Sequence, residues 1–213
     1  MTWSLNEIDA LARKAARGAG YSWGLAEDTG RAVRWLEARN LSGAAALAAH
    51  VQAIDGQGLT AMVPRMGPHI WMAPAGAICP ILAGTMLTDG LAADQTAPLT
   101  LTDLRAPLLV LPFLAWMAEA EHRTITLDLA GSPLTLTAEG AALASGPVST
   151  PGFGTVTLHF SGLAKGILIP EGLRSGCDVK TVDLLNHFAA RTYAPATEES
   201  RMAGAGAGLS DND

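Results

Sequence analysis

Thr124 to Thr137 reads TITLDLAGSPLTLT. Apolar and polar residues alternate on both sides of Gly131-Ser132. That is the period of a half-buried strand, and the Gly-Ser step reads as a hairpin turn. Two strands joined by a tight turn run antiparallel. The pattern extends outward from this hairpin. Leucine alternates with threonine from Leu99 to Leu101, Ala141 to Ala144 and Thr155 to Phe160 (TVTLHF) read as strands, and Ile167 to Ile169, just before Pro170, suits a sheet edge. Strands that follow strands across short turns predict an antiparallel sheet of about five to six strands between about residues 97 and 170, rather than βαβ crossovers. Ala106 to Val110 reads either as a buried strand or as the start of a helix reaching Glu121, with Pro112 favouring a break.

Helical signals flank this sheet, so the predicted class is α+β. Ser4 followed by Glu7 forms a capping box, and Leu5, Ile8, Leu11, Ala12, Ala15 and Ala19 recur at helical spacing until Gly18 and Gly20 end the run. Ser22 caps a second predicted helix from about Trp23 to Arg39, with Ala26, Gly30, Val33 and Leu36 inward. Ala15, Ala16 and Gly30 are small enough to let the two helices approach closely. Ser42 is the predicted cap of a third helix, with Leu47, Val51 and Ile54 inward. Proline suits the first position of a helix, so Cys79-Pro80 predicts one running to about Gly90. Asp178 caps a last helix reaching about Tyr193, whose apolar face is Val182, Leu185, Phe188 and Ala189. The predicted organisation is one globular domain over residues 1–201 and a glycine-rich, acidic tail over 202–213.

The chain has 213 residues, 49% hydrophobic and 16% charged, enough for a full core without disulfides. Two cysteines make no disulfide framework, and no secretory signal is visible at the N-terminus, so a reduced, cytoplasmic setting is expected. The net charge is −6, and Arg31, Arg34 and Arg39 are interleaved with Glu27, Asp28 and Glu37. Nucleic acid is therefore not an expected partner. Ile70 to Thr88, IWMAPAGAICPILAGTMLT, is uncharged and long enough for a membrane span. Pro74, Gly76, Pro80 and Gly84 interrupt it, however, so it reads as a buried turn plus helix, and no membrane partner is expected.

The candidates for chemistry are few. A thiol at a helix N-terminus has a lowered pKa, which nominates Cys79 as a nucleophile with His69 or His187 as its base. The plain alternative is a small core residue in an uncharged run. Cys177, in a Gly-rich turn before a helix cap, stands in the same position with less support. The histidines at 50, 69, 122, 159 and 187 have no zinc-site spacing. Met202 to Leu209, MAGAGAGL, followed by SDND, suggests a binding segment. Glycine-rich backbone amides at Gly204, Gly206 and Gly208, with Arg65, Glu198 and Arg201, could meet a ligand. Asp211 and Asp213 could hold a hard cation. The alternative for these residues is a frayed chain end. No cofactor is identifiable.

Two resemblances add to this reading. The opening ARKAARGAGYSWGLAEDTGRAVRWLEARNLSG (residues 12–43) and the ending TYAPATEESRMAGAGAGLSDND (192–213) resemble a bacterial family of uncharacterised proteins. This resemblance implies no activity. The first fifty residues, with EIDALARKAARGAG (7–20) before a second helix and a Ser-Gly turn, are similar to the N-terminal part of the malate and lactate dehydrogenase family. In that family a catalytic histidine follows the turn serine. Here Gly43 follows Ser42, so the resemblance implies a retained helical arm for subunit contacts without the chemistry. Two functions remain open: a non-catalytic accessory or assembly protein acting as a homo-oligomer, most simply a homodimer, and a small-molecule binder or enzyme with its site near Cys79 and the tail.

Overall fold

The computed structural model describes residues 2–74, 76–148, 152–160 and 163–193. The helices are α1 (Leu5–Gly18), α2 (Trp23–Ala38), α3 (Gly43–Ala53), α4 (Pro80–Thr88), α5 (Leu111–Ala120) and α6 (Val179–Ala190). The strands are β1 (Trp3–Ser4), β2 (Arg65–Met66), β3 (Ile70–Met72), β4 (Leu99–Arg105), β5 (Ile125–Asp128), β6 (Pro133–Leu136), β7 (Ala142–Ala144), β8 (Phe153–His159), β9 (Ile167–Leu168) and β10 (Arg174–Ser175). β1 pairs with β10, and the other strands form one sheet in the order β2-β3-β4-β8-β5-β6-β7-β9. The α+β class holds, and a continuous core runs from Ile8 on α1 to Phe188 on α6.

The sheet has eight strands rather than five to six, and it begins at Arg65 rather than near residue 97. The additions are β2 and β3, too short to show alternation. β3 runs parallel to β4, with Trp71 opposite Leu101, so the sheet is mixed. α4 lies in the connection between these parallel strands, which need a long crossover. The uncharged run from Ile70 to Thr88 is therefore divided between β3 and α4. No helix among the described residues is long and apolar enough to cross a membrane. The Ala106–Val110 alternative resolves as a 3-10 turn (Pro107–Val110) leading into α5. Pro112 does not break that helix, because it lies in the first turn, where its missing donor is not needed.

The predicted capping box is present. Ser4 N donates to the Glu7 carboxylate at 2.7 Å and Glu7 N donates to Ser4 Oγ at 3.2 Å. Ser22 and Asp178 accept from Leu25 N and Thr181 N as helix caps. Ser42 does not cap α3: its backbone is left-handed (φ 42°) and its side chain makes no capping bond. The buried Glu37 carboxylate takes that role from α2, accepting from Ala44 N at 2.8 Å and from Ser175 Oγ at 2.5 Å. A carboxylate against the first turn of a helix satisfies an orphan N–H and the helix dipole together. One side chain thus ties α2 to α3 and to β10. The expected close approach of α1 and α2 is also present. A Cβ at Gly30 would lie 2.7 Å from Asp9 Oδ1 and 2.9 Å from its carbonyl oxygen.

Candidate functional site

The site begins on α3, whose sequence is GAAALAAHVQA. Leu47, His50 and Val51 fall on its inward face, so the one imidazole of this helix is carried into the core. His50 is only 1% exposed. Tyr21 meets it from the turn after α1. There Gly20, at φ 104°, redirects the chain, Tyr21 N donates to Ala16 O at 3.2 Å, and Arg17 Nη1 donates to Tyr21 O at 2.8 Å. Cys79 closes the group as the residue before α4, with its N–H donating to Met62 O at 3.0 Å. Tyr21 Oη lies 2.7 Å from His50 Nε2 and 3.1 Å from Cys79 Sγ, and Sγ lies 3.9 Å from Nε2. All three side chains are buried.

Their electrostatics keep them neutral near pH 7. Burial, with the charge of Arg105 as a smaller cause, lowers the His50 pKa to about 3. Burial, then the adjacent Cys79, raises Tyr21 well above its ordinary range. Burial also raises Cys79 above its ordinary 9.0. The hydrogen bond from Tyr21 and the Leu82 and Ile81 amides at the start of α4 pull the other way but are smaller. The expected lowering by the helix terminus is therefore overturned: desolvation of a thiolate with no exposed face outweighs it. Cys177 is half-buried, and its pKa is raised to about 11 by burial, then by the charges of Glu37 and Asp178.

On the solvent side of His50 lies a cavity of about 380 Å³, walled by Ala46, Ala49, His50, Arg105, Leu108 and Gly152 and rimmed by Ser42. That volume is within the usual range for small-molecule sites. Arg105 is held there as the last residue of β4. The ladder shifts register between Leu101 and Leu104, Ile78 N donates to Asp103 O at 3.0 Å, and Arg105 N donates to Ile78 O at 3.1 Å. Ala106, at φ 41°, then turns the chain while its N–H donates to Gly152 O at 2.8 Å. Five buried side-chain nitrogens among the described residues have no hydrogen-bond partner: Trp3 Nε1, Arg39 Nε, His50 Nδ1, Arg105 Nε and Arg123 Nε. Of these residues, His50 and Arg105 line this cavity.

Among the described residues, none of the nominated partners meets Cys79. His69 is exposed between β2 and β3, with its carbonyl accepting from Thr100 N at 2.8 Å. His187 is exposed on α6, where Arg191 donates to its Nε2 at 3.3 Å and pairs with Asp55. Arg65 is exposed on β2, opposite Met72. The tail nominees Glu198, Arg201, Gly204, Gly206, Gly208, Asp211 and Asp213 lie outside the described residues, as does the boundary at residue 201. Among the described residues, no group of three or more His, Cys, Asp and Glu side chains could hold a metal ion. Sequence reading weighs His50 only for zinc-site spacing and passes over Tyr21 and Arg105. A signal for His50 exists: it lies three residues after Leu47 and four before Ile54, a polar residue on an apolar face.

A family model described as "Protein of unknown function (DUF3726)" matches residues 3–79. No curated protein matches the chain. Among solved structures, it is similar to malate dehydrogenase from Pyrococcus horikoshii OT3, at 12% identity and a TM-score of 0.42, over 74% of this chain and 50% of that one. It is also similar to malate dehydrogenase from Entamoeba histolytica, at 11% identity and a TM-score of 0.41, over 77% of this chain and 50% of that one. The chain spans about half the length of these solved relatives. The segment matched by the unknown-function family contains Tyr21, His50 and Cys79, whereas Arg105 lies beyond it.

Proposed function

We propose that this chain is a non-catalytic accessory protein that binds a small molecule in the cavity between α3 and the end of β4. The observation that carries this reading is the cavity itself, about 380 Å³, lined chiefly by alanines and Leu108 with Ser42, His50 and Arg105 as its polar side chains. A concave, mostly apolar space with a few polar groups is the usual form of a small-molecule site. The absence of catalysis in this reading rests on the neutral Tyr21–His50–Cys79 group, which holds its thiol protonated. A thermal-shift screen of metabolites tests it. Hits should raise the Tm of the wild type by several degrees and leave Ala49→Trp, which fills the cavity from an exposed helix position, unmoved. Equal responses in both proteins would end the proposal.

An assembly role as a homodimer is the second reading, and the edge of the sheet left unpaired among the described residues favours it. β9 is the last strand, and Ile167 is 80% exposed beside exposed Leu163 and Leu168. An unpaired apolar edge is a ready site for a second copy. Size-exclusion chromatography with light scattering at micromolar concentration should give twice the chain mass, and Ile167→Lys should return it to one. A clean wild-type monomer rules this reading out. A cytoplasmic setting is supported by the two free cysteines.

A further inference from the structure

We propose that α3 is a proton-sensitive wall of the cavity: when His50 takes up a proton, α3 lets go of Tyr21 and Cys79 and opens the cavity while α1, α2 and the sheet stay folded. The opening is a property of the free protein and does not depend on what the cavity holds.

The buried imidazole is the catch. Tyr21, from the turn after α1, and Cys79, before α4, meet it with Oη at 2.7 Å and Sγ at 3.9 Å from Nε2. Arg105, at the end of β4, acts on it with a like charge. Among the described residues no carboxylate pairs with it. Both nitrogens of an imidazolium are donors. Nε2 has Tyr21 Oη beside it, but Nδ1 has no hydrogen-bond partner, and the residue is closed off from water. An unpaired charge in such a place is costly, so a proton is taken up chiefly when the ring reaches solvent.

α3 is the element that can carry it there. Six of its eleven residues are alanine, and Leu47 and Val51 are its large apolar side chains. A helix that buries so little apolar surface opens at low cost. Ala45, Ala46, Ala49 and Ala53 border the cavity, so that side offers room. The other charged groups along α3 lie at its ends. Glu37 of α2 holds Ala44 N, and Asp55, just past the helix, pairs with Arg191 of α6 beside His187.

Native-state hydrogen exchange on the full chain, over a urea series, tests the proposal. At pH 7.0 the amides of α3 should exchange roughly tenfold or more faster than those of α2, with a weaker urea dependence, because local opening exposes less surface than global unfolding. After allowance for intrinsic rates, opening of α3 should rise about eightfold between pH 7.0 and 5.5, as one proton is taken up per opening by a histidine of ordinary pKa. His50→Gln should abolish that rise, and His187→Gln should leave it in place. α3 amides that exchange with those of α2 at the same urea dependence overturn the proposal, as does a rise that persists in His50→Gln. If His50→Gln does not fold, the wild type between pH 6.0 and 5.0 decides. A further rise of about eightfold supports release through the imidazole, and α3 opening that is independent of pH overturns it.

Discussion

Lowering the pH from 6.5 towards 4 should destabilise this protein steeply, and His50→Gln should remove most of that slope. The unfolded chain protonates His50 near its ordinary 6.5, whereas burial holds the folded pKa at about 3. Between those values the unfolded state binds more protons, so stability falls as the pH falls. Each unit is worth about 1.4 kcal/mol, and the whole interval about 5 kcal/mol. That is comparable to the entire stability of many domains. Exposed Glu7, Asp55 and Asp178 have lowered pKa values, each chiefly from a hydrogen bond. Their contribution is lost only as the pH falls below the ordinary carboxylate range. Glu121, raised above its ordinary 4.5 chiefly by burial, titrates above that value with the opposite sign, so the comparison with His50→Gln is what isolates the imidazole between 4.5 and 6.5. On the alkaline side, the raised Cys79 and Tyr21 pKa values mean that the unfolded chain loses those protons first. Stability should therefore decline above about pH 9 and be greatest in the neutral range between. Urea unfolding at pH 7, 5.5 and 4.5 measures the acid slope. An unchanged slope in His50→Gln would remove the imidazole as its cause.

Gly84→Ala should destabilise the protein by about 2 kcal/mol and Gly84→Leu by about 3 kcal/mol or more, the usual range for overpacking a core. The sign is the informative part. Gly84 lies in the interior of α4, where alanine would ordinarily gain up to about 1 kcal/mol from helix propensity. Here a Cβ would run into Cγ and Cδ2 of the Phe113 ring on α5. That ring is buried and held edge-on to Trp116, with centroids 5.1 Å apart, so it has little room to yield. In a Phe113→Leu background the cost of Gly84→Ala should shrink by at least about 1 kcal/mol, as contacting residues couple. Equal costs in both backgrounds, measured by urea unfolding, would show that the ring is not the obstacle.

The α+β class is legible in the chain because its signals are local. Ser4 and Glu7 sit three residues apart, Asp178 precedes its apolar face, and the 124–137 hairpin carries its own turn. Each needs only a few neighbouring residues to be satisfied, so spacing along the chain is sufficient. Pairing between distant short segments leaves no such mark. β2 and β3 have two and three residues, and β3 becomes a strand because β4 lies parallel beside it. Ser42 looks like a cap by residue type, yet Glu37 takes the amide. A carboxylate seven positions away in sequence becomes adjacent once α2 and α3 fold back on one another.

The cysteine before Pro80 divides in the same way. Its place at the start of α4 follows from proline's fixed φ and missing donor, and the local sequence carries that information. The helix terminus lowers its pKa in the expected direction, but burial opposes this more strongly, and burial is a property of everything packed around the thiol. Its partners, Tyr21 in the turn after α1 and His50 on α3, come from separate segments tens of residues away. The chain specifies its helices, its hairpin and its caps through short-range hydrogen bonding and periodicity. Packing alone sets which polar groups are desolvated together, and with that the neutral thiol and the neutral His50 beside it.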